Sequence, residues 1–153
     1  MLKIVFLKKY NIITFFKVNY IVMILGLGLD IVQIVRIKNI NSTFGDNFLK
    51  KIYTSGEIYQ INSISSSKKK EEFLAKRFAA KEAFSKALGT GIGRIKFNEI
   101  EVCNDDNGKP KITRTDKINQ LIKELFTVEN YQINLSIADD AGIAQAIVII
   151  SIK

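Results

Sequence analysis

From Ile24 to Leu29 apolar and small residues alternate in a strand-like pattern. Leu25, Leu27 and Leu29 fall on one side, and Ile24, Gly26, Gly28 and Asp30 on the other. The run reads as a buried strand, so a carboxylate at its end needs a reason. The two glycines clear side chains from the aspartate's face and let a backbone or a ligand come close. Beyond Asp30 the period lengthens. Ile31, Ile34, Val35 and Lys38 suit a short helix, with Gln33 and Arg36 facing outward. Phe44 to Tyr59 predicts irregular helix, and "NSISSSKKK", Asn62 to Lys70, a polar loop.

The strongest helical pattern is "EEFLAKRFAAKEAFSKALG", residues 71–89. Leu74, Phe78, Ser85 and Leu88 recur at helical spacing, Phe73, Ala80, Phe84 and Ala87 widen the stripe, and Gly89 stops it. "FNEIEVCNDDNGKPKI" predicts a hairpin turning at Asn107-Gly108, with the lone proline, Pro110, at a strand edge. "TDKINQLIKELF" predicts an amphipathic helix that buries Ile118, Leu121, Ile122 and Leu125, capped by Thr115 or Asp116. Two final strands surround a turn from Asp139 to Gly142. The sum is an α+β domain, a long central helix against a small, mostly antiparallel sheet.

Composition narrows the chemistry. The chain has 153 residues, one cysteine and no histidine. Histidine-based triads and histidine metal sites are therefore excluded, and a disulfide within the chain is too. A single cysteine fits a reducing, cytoplasmic setting. Any metal must sit on oxygen ligands, which favours magnesium, calcium or manganese. The net charge is +8, but the first 22 residues hold four lysines and no acid, so half of it sits there. That leaves a modest bias toward acidic partners or phosphates.

Residues 1–22, "MLKIVFLKKYNIITFFKVNYIV", are apolar and basic. Lysines interrupt them too often for a span of about 20 apolar residues. They read as an extension outside the fold, from a start assigned upstream of Met23, with the domain over residues 23–153; a basic membrane-surface segment is the alternative. No integral membrane association is expected.

Two carboxylates interrupt apolar patterns: Asp30, and Glu82 in "FAAKEAF" among small alanines. Each has a plain structural reading. Asp30 suits a helix N-cap, and Glu82 suits surface pairing with Lys86 four residues on. A functional reading joins them. A hard cation held by two carboxylates keeps open positions, which suits magnesium bridging a diphosphate. Arg77, Lys81 and Lys86 would then bind phosphate oxygens. "GLGLD" lacks the third glycine of a dinucleotide fingerprint. "GTGIG" lacks the lysine of a phosphate loop and reads from pattern alone as a helix stop and turn.

"GLGLDIVQIVRI", "FLAKRFAAKEAFSKALGTGIG", "FNEIEVCNDDNGKP" and "LSIADDAGIAQAIVII" together resemble the holo-acyl-carrier-protein synthase family of bacterial 4′-phosphopantetheinyl transferases, in that family's order and spacing from Met23 to about Ser151. The resemblance implies transfer of the phosphopantetheine arm of coenzyme A to a serine of apo-acyl carrier protein, for fatty acid biosynthesis. Adenosine 3′,5′-bisphosphate would be released. It implies magnesium on Asp30 and Glu82, a homotrimer with coenzyme A between subunits, and room made for the diphosphate by Gly26 and Gly28. Catalysis would fall to Asp30, Glu82 and Lys86. Coenzyme contacts would fall to Arg77, Lys81, Lys86, Gly89, Thr90, Gly91, Gly108 and Pro110.

Arg36, with Lys38, Lys50 and Lys51 behind it, would meet the acidic carrier protein. The base stays open between water at the metal and a carboxylate such as Glu82. Lys86→Ala is expected to lower turnover with magnesium binding nearly unchanged. Many members carry a histidine in the last hairpin; here "SIADD" places Ala138 and Asp139 there, so no such contact is carried over. The competing class is a non-catalytic basic module that grips RNA or a nucleotide. No aromatic RNP motif or KH-type clamp supports it, so no nucleic-acid partner is expected.

Overall fold

The computed structural model describes residues 2–7, 12–17, 23–91 and 93–152. Within the expected extension, β1 (Leu2–Leu7) and β2 (Ile12–Lys17) pair as an antiparallel hairpin, an element the sequence reading did not anticipate. The remainder of residues 1–22 lies outside the described residues, as does Ile92 of "GTGIG".

The main sheet has three antiparallel strands in the order β3 (Met23–Gln33), β7 (Ile143–Ile152), β6 (Gln132–Asp140). The long helix α3 (Ser67–Ala87) lies across one face. Alternation along β7 turns Ala144, Ala146, Val148 and Ile150 into the core, where they meet Leu74, Ala79, Ala80, Ala83 and Phe84 of α3. The α3 stripe thus lies where its periodicity put it. Small alanines on the helix and Ala144 and Ala146 on the strand let the two layers approach closely.

β3 reverses one expectation. Its glycine and aspartate side faces α3, while Leu27, Leu29 and Ile31 are exposed on the outer face beside Ile147. Nor does the strand stop at Leu29, the end its pattern predicts. It continues to Gln33, and α1 (Ile34–Ile52) begins there, because pairing with β7 persists through Gln33↔Ile143.

Helix α1 kinks at Gly45, where φ is 47°. The irregular helix expected over residues 44–59 is the end of α1 plus a separate α2 (Ser55–Ser63), opened by a capping box of Thr54 and Glu57. Helix α3 starts earlier than residue 71. Ser66 accepts a hydrogen bond from the Lys69 amide and draws part of the expected polar loop into the first turn.

A short 3-10 turn, Phe97–Glu99, precedes the hairpin of β4 (Val102–Asn104) and β5 (Pro110–Ile112). Helix α4 (Asp116–Phe126) is capped by Thr115 and buries Ile118, Leu121 and Ile122. Among the described residues, no helix is long and apolar enough to cross a membrane.

Candidate active site

The site begins with the absence of two side chains. A Cβ on Gly26 would overlap the carbonyl oxygen of Ala87, and one on Gly28 that of Ala83. The glycines therefore seat the α3 backbone directly against β3. They make room for a backbone, as one of the two readings of the pattern had it, and not for the diphosphate that the resemblance implied. Asp30 is the next residue on that face, and it meets α3 where the helix carries Lys86. Lys86 Nζ donates to Asp30 Oδ1 at 2.8 Å and to the Leu29 carbonyl oxygen at 3.0 Å.

Both plain readings of the carboxylates fail here. Asp30 does not cap α1, whose N-cap is Gln33 without a side-chain bond. Glu82 is not the ion-pair partner of Lys86; Asp30 is. Among the described residues Glu82 has no ion pair within 4.0 Å. Its carboxyl is pushed above the ordinary range, first by burial and then by the charge of Asp30, while Lys86 and Arg36 pull the other way. Asp30, Glu82 and Lys86 thus share one electrostatic neighbourhood, with Arg36 of α1 at its edge.

This donor set fits a hard divalent cation. It offers two carboxylates, and one of them is destabilised by the other, a penalty that a cation between them removes. Among the described residues no group of three or more acidic or thiol side chains is gathered, so such an ion keeps most of its positions open for other oxygens.

A second feature lies toward the start of α3. Arg77, Gly108 and Pro110, all expected to contact coenzyme, line one cavity of about 470 Å³ with Gln60, Phe73, Lys76, Asn104, Ile137 and Asp139. Arg77 is 7% exposed; its guanidinium donates to Asn104 Oδ1 at 3.0 Å and stacks on the Phe73 ring at 4.6 Å. Among the described residues its Nε is buried without a partner.

Residues 26–138 match the model of the 4′-phosphopantetheinyl transferase superfamily. The chain belongs to that superfamily. It is 43% identical over 131 residues to the holo-[acyl-carrier-protein] synthase of Pelagibacter ubique, covering 85% of this chain and 98% of that protein. Two solved structures share its fold at 36% identity. The holo-[acyl-carrier-protein] synthase of Neisseria meningitidis has a TM-score of 0.74, with 86% of this chain and 100% of that one covered. The Bacillus anthracis synthase, in complex with CoA (3′,5′-ADP), has a TM-score of 0.69, with 86% and 99% covered. A non-catalytic RNA-binding module has no support beside this membership.

Within the transferase fold the other expected residues scatter. Lys81 is a correction. It is fully buried, and its three donors go to Glu57, to the Ile52 carbonyl at 2.8 Å and to the Phe97 carbonyl at 2.9 Å, so none is left for a phosphate. Gly89, Thr90 and Gly91 form the turn after α3 and do not line the Arg77 cavity. The sequence reading missed Lys76, which pairs with Asp139 at 3.0 Å on the cavity wall. The partners are 63 positions apart, and no local signal joins them. Phe73 beneath Arg77 was legible as an i,i+4 neighbour.

Proposed function

We propose that the chain is a magnesium-dependent holo-acyl-carrier-protein synthase. It transfers the 4′-phosphopantetheine arm of coenzyme A to a serine of apo-acyl carrier protein, releases adenosine 3′,5′-bisphosphate, and acts in the cytoplasm for fatty acid biosynthesis. The catalytic fold is residues 23–153. The observation that carries the reading is the convergence of Asp30, Glu82 and Lys86 in one electrostatic neighbourhood, with Arg77, Gly108 and Pro110 gathered on the wall of a separate cavity.

Asp30 and Glu82 would hold the magnesium ion. When bound, magnesium neutralises charge on the diphosphate oxygens. Arg77 grips a phosphate of the coenzyme with a guanidinium already oriented by Asn104 and Phe73. Gly108 and Pro110 border the same cavity. The serine oxygen forms a bond to the phosphorus next to pantetheine as the bond to the departing bisphosphate breaks. The serine proton passes to a base at this carboxylate pair, either water held there or a carboxylate such as Glu82. Lys86 stabilises the charge that gathers on the leaving oxygens. Arg36, exposed and near Glu82, steers the acidic carrier protein toward the site.

Three copies assemble through the outer sheet face, with coenzyme A between subunits. Leu27 is 61% and Ile31 57% exposed there, with Leu29 and Ile147 between them, a contiguous apolar patch that association would cover.

The deciding test incubates the full chain with apo-acyl carrier protein, coenzyme A and magnesium, and weighs the carrier protein. Gain of one phosphopantetheinyl group that disappears on chelation is the expected result. A folded chain that adds nothing to the carrier protein overturns the assignment. Sedimentation at the same protein concentration should report a trimer; a monomer rejects the assembly.

A further inference from the structure

The cation beside Asp30 in this structure is the chain's own. Lys86 bridges the Asp30 carboxylate and the Leu29 carbonyl rather than lying along its own helix toward Glu82, and its side chain is half exposed while that of Asp30 is 14% exposed. Resting on the proposed function, which puts a divalent cation on Asp30 and Glu82, we propose that Lys86 is a resident counter-cation that the metal must displace. Coenzyme A completes the exchange by offering its diphosphate to the released ammonium.

The physics favours an exchange over coexistence. An ammonium and a divalent ion on one carboxylate repel each other at close range. A half-exposed ion pair is weak, so little holds Lys86 when a doubly charged competitor arrives. Its four-carbon stem is flexible and the side chain is half exposed, so it can leave without disturbing the helix. The displaced charge then needs a new anion, and a diphosphate held at the same carboxylates is the nearest one the reaction provides. Metal and coenzyme therefore tighten each other's binding through Lys86, and the coupling must be reciprocal. The same geometry revises the sequence expectation that Lys86→Ala leaves magnesium binding unchanged.

The test is calorimetric titration of magnesium into the full chain without carrier protein, with and without coenzyme A. Wild type, Lys86→Ala, Lys86→Gln, Lys86→Arg and Glu82→Gln are compared, with folding checked by thermal melts. Without coenzyme, Lys86→Ala and Lys86→Gln should bind magnesium about fivefold more tightly than wild type, the order expected for one half-exposed ion pair. Lys86→Arg should stay near wild type. Added coenzyme A should tighten magnesium binding less in Lys86→Ala than in wild type. Unchanged or weaker magnesium affinity in both neutral variants overturns the exchange while leaving the metal assignment standing. Wild-type magnesium binding in Glu82→Gln removes the two-carboxylate site itself, and the exchange with it.

Discussion

Lys81 and Glu82 are consecutive residues of α3, yet their charges meet opposite surroundings. Lys81 points into the core, where its ammonium donates to Glu57, Ile52 and Phe97. Glu57 in turn accepts from the Thr54 and Val102 amides. Burial lowers the Lys81 pKa and Glu57 opposes it, but no donor is idle. Glu82 is half-buried, faces a like charge and has no ion pair among the described residues. A buried charge with every partner in place ties elements together. A partly buried charge opposed by its neighbour is poised to receive a ligand.

The largest break in this comparison should come from Lys81→Met. It strands Glu57 without a cation in the core, and loss of one partner of a buried pair costs about 3–5 kcal/mol. Chemical denaturation should show that loss, while transfer per folded molecule persists. Adding Glu57→Gln should recover much of it. Abolished transfer in the folded Lys81→Met protein would put Lys81 back among the catalytic groups.

Glu82→Ala and Asp30→Ala should behave in the opposite way. Thermal melts should move little, and turnover should fall by about 10²–10³, or 2.7–4 kcal/mol, the scale of losing one electrostatic contact in an active site. The double variant should cost little more than either single one, because the two act as a unit. Additive losses across a magnesium titration would falsify the shared site.

Gly28→Ala tests the platform beneath both residues. Its Cβ would meet the Ala83 carbonyl, and backbone cannot yield as a side-chain tip can. The expected cost is about 3 kcal/mol in stability. The same shift moves Asp30 from Lys86 and Glu82, so transfer by the folded fraction should fall as well. A stable, fully active Gly28→Ala protein would mean that the close β3–α3 contact does not align the site.

Arg36→Ala should have the smallest effect. Stopped-flow association with carrier protein should slow a few-fold at low salt, and the difference should shrink as salt screens the charge. Equal slowing at high salt would point to a direct short-range contact instead of steering.

Much of the fold was legible because its signals are local. The α3 stripe, the Thr115 cap, the Asn107-Gly108 turn and the alternation of the last strands each depend on residues within a few positions of one another. The α+β class followed from their order. Asp30 and Glu82 stood out because carboxylates interrupt apolar runs, and the structure does bring them together. Periodicity tells which residues share a face, but it does not tell what the face will meet. The run through Leu27 and Leu29 therefore read as a buried strand, and these leucines proved to lie on its exposed outer face, because Gly26 and Gly28 let a helix occupy the other side.

The cations show the same limit. Arg77, Lys81 and Lys86 looked alike along the helix, and partners distant in sequence separated them. Lys81 found Glu57 across 24 positions, Arg77 found Asn104 across 27, and Lys86 found Asp30 across 56. The sequence by itself determined the elements, the two carboxylates and the family resemblance, because each is written in short-range pattern. Only tertiary packing decided which charge is buried and satisfied, which is paired at the site and which is left open, because those outcomes depend on what folds against each side chain.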